Sequence, residues 1–162
     1  MCSSDLETLM NIVEDHHGKA IIWAGFRQNL KDVQEHMTSV YGPSVVEGYY
    51  GGIDMESRPD IIKRFQDPNS DLRFLVANPQ SAGYGLTLVS ADLAIYYSNG
   101  YNLEHRLQSE DRIHRIGQKK NPVYIDLYVP ETVDEAIMTA LRSKRELSDA
   151  LLTGRFKIRD WI

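Results

Sequence analysis

The chain has 162 residues, 42% of them hydrophobic and 25% charged, with a formal net charge of −5, which suits one soluble globular domain with a full hydrophobic core. No apolar run approaches the ~18 residues of a membrane span, no basic start followed by an apolar stretch marks a secretory signal, and Cys2, the single cysteine, excludes internal disulfides and cysteine-based zinc sites. An intracellular setting is expected, and the negative balance weakens any independent grip on nucleic acid, which draws on Lys and Arg.

In chain order, Asp5 to His17 carries Leu6, Leu9, Met10 and Val13 at helical spacing, and Gly18 closes that helix. Ala20 to Ala24 is a short apolar run, read as a buried strand. Gln28 to Tyr41 returns to helical spacing with Leu30, Val33, Met37 and Val40, before Gly42-Pro43 breaks the chain. Val45 to Tyr50 reads as the next strand, turned by Gly51-Gly52, and Asp54 or Ser57 is placed to cap a helix running to Phe65. Arg73 to Ala77 is another buried strand, Asn78 to Gly85 a loop of small residues, and Leu93 to Tyr97 a further strand. A helix from Asn102 to Arg115 follows, then a strand from Val123 to Val129. A final helix is capped by Thr132, with Glu135 three residues later as a capping box, and extends as far as Leu152.

Strands alternating with helices imply an α/β fold of three layers, a mostly parallel sheet with helices on both faces. Ligands in such sheets gather beyond the carboxyl ends of the strands. Gly51-Gly52, Asn78 to Gly85 and Ser98-Asn99-Gly100 fall there. Trp23, Phe26, Phe65 and Phe74 are expected in the core. His16-His17 follows Glu14-Asp15, but adjacent side chains do not converge, so polar helix-end residues are expected rather than a metal site.

The stretch richest in chemistry is Gln108-Ser109-Glu110-Asp111-Arg112-Ile113-His114-Arg115-Ile116-Gly117-Gln118. Arg112 and Arg115, three apart on the expected helix, point to roughly one side, and Gly117 ends the helix. Two guanidiniums there suit a polyanion such as a transferring phosphoryl group. Spacing alone equally allows Arg112 to pair with Asp111 or Glu110. Arg112, Arg115, Lys119 and Lys120 form one basic cluster and Arg142, Lys144 and Arg145 another, each readable as a solvated face.

Asp-Arg-x-His-Arg-Ile-Gly-Gln resembles the last motif of superfamily-two helicases in its Swi/Snf form, with Gln108 where that family keeps a glutamine. Ile21 to Phe26 resembles the opening strand of the family's second RecA-like lobe. Tyr49-Tyr50-Gly51-Gly52, Arg58, Ile62 and Arg64-Phe65 resemble its glycine–arginine segment. Ser81 to Leu88 is similar to its glycine-rich fifth motif, Ala91-Asp92 to the alanine-aspartate after it, and Tyr101-Asn102 to its tryptophan-asparagine. The resemblance covers about residues 19 to 140. It implies a second RecA-like lobe over residues 1–153, with residues 154–162 a tail or linker. It further implies that Arg115 is an arginine finger and Arg112 its companion, both directed at ATP with Mg2+ held mainly by a first RecA-like lobe. Gly83, Gly85, Gln108 and Asp111 would then border the nucleotide. Gly51, Gly52, Arg58, Ser81, Tyr84 and Asn102 would face double-stranded DNA. Pro79-Gln80 departs from the family's threonine and basic residue, which leaves a phosphate contact to Ser81, and Thr87 replaces the usual asparagine.

No phosphate-cradling Gly-x-x-x-x-Gly-Lys-Ser/Thr is present; Gly18-Lys19 is followed by Ala20 and preceded at the first-glycine position by Val13. No strand ends in Asp-Glu to hold magnesium, and Asp126 alternates to an outward position in Tyr124 to Tyr128. The chain is therefore expected to be part of a longer protein and to hydrolyse little or no ATP alone. Two other readings stay open. One is the lobe of a strand-separating helicase; the other is a non-catalytic module that binds DNA or protein. A self-sufficient Rossmann enzyme lacks its Gly-x-Gly-x-x-Gly.

Overall fold

A computed structural model describes residues 3–81 and 86–153. Its elements follow in the order α1 (Ser3–Glu14), β1 (Lys19–Trp23), α2 (Arg27–Tyr41), β2 (Val46–Tyr49), α3 (Arg58–Gln66), β3 (Phe74–Ala77), β4 (Ala91–Tyr96), α4 (Leu103–Asp111), β5 (Val123–Asp126) and α5 (Val133–Leu152). The five strands form one sheet in the order β2-β3-β1-β4-β5, and every pairing is parallel. The central strands are unbroken apolar runs because both of their faces are covered. Ile21, Ile22 and Trp23 of β1 are fully buried, as are Phe74, Leu75, Val76 and Ala77 of β3.

Two core layers follow from the alternation along these strands. Ala20, Ile22, Val76 and Ile95 face α1 and α2, meeting Leu9, Val13, Leu30, Val33 and Met37. Ile21, Trp23, Leu75 and Tyr96 face the other way, meeting Ile61 and Phe65 of α3 and Ile113 just beyond α4. Burying each such aliphatic side chain contributes roughly 1.5–3 kcal/mol. A smaller cluster of Ile137, Met138 and Leu141 seats α5 on Leu103.

Three local expectations change. Phe26 is 54% exposed rather than in the core, because it stands at the N-cap of α2, at the carboxyl end of β1, with no layer above it. Ser57 precedes α3 but does not cap it; its hydroxyl donates to the carbonyl of Asp54. The box at the start of α5 is shifted by one residue. Thr132 Oγ1 accepts from Asp134 N at 3.3 Å, while Glu135 Oε2 accepts from Glu131 N at 2.7 Å. Among the described residues no helix is long and apolar enough to cross a membrane.

Candidate functional site

The arginine segment is built from α4 onward. Asn102 caps that helix through Oδ1, which accepts from Glu104 N at 2.9 Å and His105 N at 3.4 Å. The helix stops at Asp111, four residues before the expected end at Arg115. Its last carbonyls and the segment beyond find other partners, as the end of a helix requires. Arg112 O accepts from Leu88 N at 2.9 Å. Gln118 Nε2 donates to Ala91 O at 2.8 Å and to Ile113 O at 3.3 Å. Ile113 is drawn fully into the core. Residues 112–118 therefore form a run of tight turns, closed by Gly117 at φ 106°. Arg112 and Arg115 are presented by this run and not by a helical face.

The two arginines differ in setting. Arg112 is buried, and that burial pulls its pKa below the usual arginine value; Tyr49 opposes the shift and the Arg115 charge adds to it. Arg115 is exposed, and its Nη1 donates to Thr87 Oγ1 at 3.1 Å. Of the nearby carboxylates, Glu110 is engaged elsewhere, accepting from Arg106 Nε and from Arg145 Nη2, each at 2.6 Å. Asp111 is exposed at the end of α4. Gln108 Nε2 donates to Glu104 Oε1 at 2.9 Å.

Arg106, which the motif reading passed over, organises this region. Its guanidinium lies 3.4 Å from the centre of the Tyr96 ring. It donates to Asn99 Oδ1 at 3.1 Å, to both oxygens of Asp126 and to Glu110. Asp126 is thus half-buried beneath α4, not outward-facing. Its charge is held by an arginine of α4, and opposite charges within hydrogen-bond reach offset the loss of water. The i, i+4 spacing of Arg106 and Glu110 was a sequence signal for one of these pairs. Nothing local pointed to Asp126.

The carboxyl rim carries most of the residues assigned to DNA. Gly51 and Gly52 form an exposed turn after β2. Arg58 braces that turn, its Nη2 donating to Tyr50 O at 2.9 Å and Ile53 O at 3.3 Å, with the guanidinium 5.4 Å from the Tyr49 ring centre. Asn78 Nδ2 bonds Ala24 O and Gly25 O, Ser81 N bonds Asn78 O at 3.1 Å, and Ser98 Oγ accepts from Gly25 N and Asn29 Nδ2, each at 3.0 Å. Between these loops lies a crevice of about 130 Å³ bordered by Gly25, Gln80, Asn99, Tyr101 and His105. Gly83, Tyr84 and Gly85 lie outside the described residues.

The structure brings Gly51, Gly52, Ser81 and Asn102 to one edge of the sheet. Arg112 and Arg115 are not on that edge. Their partners Leu88 and Thr87 belong to the link that leads into the amino end of β4. The two arginines thus stand apart from the rim loops and their polar side chains. His16 Nε2 meets Asp92 Oδ1 at 2.9 Å, and Lys120 also reaches Asp92. Among the described residues no group of three or more His, Cys, Asp or Glu is placed to hold a metal ion.

Residues 4–117 match the family described as the helicase conserved C-terminal domain. The chain is 30% identical over 144 residues to transcription termination factor 2 of Drosophila melanogaster, covering 89% of this chain and 13% of that protein. It is 30% identical over 146 residues to the TATA-binding protein-associated factor MOT1 of Saccharomyces cerevisiae, covering 89% and 8%. A SWI/SNF-related matrix-associated actin-dependent regulator of chromatin, subfamily A member 1, of Mus musculus is 29% identical over 149 residues, covering 92% and 12%. The chain thus spans a small fraction of the length of these relatives. Among solved structures, the C-terminal part of the Fun30 ATPase domain superposes with a TM-score of 0.72 at 25% identity, covering 85% of this chain and 43% of that one.

Proposed function

The chain belongs to the helicase conserved C-terminal domain family, in its Swi/Snf form, and on that premise we propose that it is the second lobe of an intracellular, ATP-dependent motor that moves on double-stranded DNA. Residues 1–153 are the lobe, and residues 154–162 are a tail or linker. ATP with Mg2+ is held by a first RecA-like lobe, and this lobe supplies the cations that complete the site.

The observation that carries this reading is the different setting of the two arginines. Arg115 is exposed and, among the described residues, forms no salt bridge; it donates to the neutral hydroxyl of Thr87, which a phosphate oxygen can replace without breaking an ion pair. Arg112 stands behind it with a partly desolvated charge, which gains when an anion approaches. Both guanidiniums fit the charge that spreads over the γ-phosphoryl oxygens as the bond to the leaving group loosens. When the lobes close on ATP, Arg115 reaches those oxygens; when hydrolysis ends, the attraction falls and the lobes part. Meanwhile the rim formed by Gly51, Gly52, Ser81 and Asn102 contacts the DNA backbone, where phosphates set position rather than sequence. Arg58 contributes there by holding the Gly51-Gly52 turn in shape.

In the two-lobed protein, Arg115→Ala should lower DNA-stimulated ATP turnover by about 10³-fold or more, the scale on which arginine fingers act. DNA affinity should stay within a small factor of the parent. Equal turnover in variant and parent rejects the finger assignment.

A further inference from the structure

We propose that the amino edge of the sheet carries a second anion site, beside Arg115, with which it shares Gln118 and Lys120 as neighbours, and away from the carboxyl rim, and that this site takes a phosphate group. The residues that immediately precede or open β1, β2, β3 and β4 surround one open hollow of about 780 Å³. Its lining includes Lys19, Arg73, Lys119 and Lys120, against Asp71 as its carboxylate. With Lys120 paired to Asp92, three cations that form no salt bridge among the described residues face Asp71 in the lining and Asp67 beside Lys19, which makes this a locally basic basin in a chain whose net charge is −5.

The way these cations are held is the second argument. Lys19 Nζ donates to three backbone carbonyls, those of Arg64 at 3.4 Å, Phe65 at 2.8 Å and Asp67 at 2.7 Å. Arg73 donates to the carbonyls of His16 at 2.5 Å and Gly18 at 3.5 Å. Carbonyls fix the position of a cation but do not cancel its charge. Among the described residues, Lys19, Arg73 and Lys119 form no salt bridge, while Lys120 is paired with Asp92. Burial lowers the pKa of Lys19, with the charge of Asp67 opposing, so its ammonium would gain from a counter-anion. A phosphate oxygen near Lys119, with Arg73 and Lys19 behind it, supplies that charge. The hollow is roomy enough for more than one phosphate, either along a DNA backbone or in a free polyphosphate.

The 162-residue chain, labelled with ¹⁵N, is titrated with sodium tripolyphosphate and separately with a short DNA duplex. Amides of residues 18–19, 73 and 119–120 should shift saturably with tripolyphosphate. Lys119→Glu, at an exposed position, should weaken that binding roughly fivefold or more without altering the fold. Arg115→Ala should leave it unchanged. If duplex DNA shifts the same amides and competes with tripolyphosphate, the occupant is a DNA backbone; if it does not, the occupant is a free polyphosphate. The proposal is overturned if no saturable shift appears at these amides, or if Lys119→Glu binds like the parent. It is equally overturned if Arg115→Ala, rather than Lys119→Glu, abolishes binding, since the anion would then sit on the arginine pair.

Discussion

Arg106 shows how much one side chain can hold. Its guanidinium joins α4 to β5 and to the end of β4, and Glu110 passes the link on to Arg145 of α5. Arg106→Ala leaves Asp126 half-buried without its cation and should destabilise the chain by about 3 kcal/mol, read from urea unfolding at neutral pH. Asp92 makes a second test. Burial raises its pKa, but the hydrogen bond and charge of Lys120, together with His16, outweigh it and hold the carboxyl below its usual value. A carboxylate depressed on folding stabilises above its unfolded pKa of about 3.9, and loses that contribution as pH falls through the folded value. Urea midpoints measured from pH 7 down to pH 3 should therefore fall more steeply for the parent than for Asp92→Asn. Parallel curves would contradict the pairing with Lys120 and His16.

Among the elements, those with long apolar periods were legible. In the stripe Leu30, Val33, Met37 and Val40 the first three face the core as their spacing requires, while Val40, in the last turn of α2, is exposed; the runs at Ile21 and Phe74 are buried on both faces. The carboxyl-rim loops were legible too, because in a parallel sheet the loop that follows each strand falls at its carboxyl end. What the pattern concealed is where α4 ends. Arg112 to Arg115 reads as helix because no Gly or Pro interrupts the stretch from Leu103 until Gly117. Yet the backbone there is claimed by Leu88 N and Gln118 Nε2, residues distant along the chain or used for another purpose. Phe26 misled for a related reason: an aromatic after a buried strand looks like core until the end of the sheet is located. The turn itself makes a prediction. Gly117 adopts φ 106°, so Gly117→Ala should cost about 1–2 kcal/mol in thermal or urea unfolding. In the two-lobed protein it should also lower ATP turnover by shifting Arg115.

For the whole molecule, the proposed division of labour has a direct consequence. The chain offers guanidiniums but no phosphate loop and no strand-end Asp-Glu. Alone, with ATP, Mg2+ and duplex DNA, it should release no phosphate above the rate without protein, because arginines stabilise the reaction only where another surface has placed the nucleotide. Steady release in a phosphate assay would show a complete site within these residues.

Residues 112–118 are fastened at each end. Arg112 O is tied to Leu88, Ile113 is embedded, Gln118 spans Ala91 and Ile113, and Lys120 reaches Asp92. An arch anchored on both feet cannot swing as a flap does. Arg115 is therefore expected to travel only with the body beneath it, so that in the proposed motor the stroke is the rotation of a rigid block.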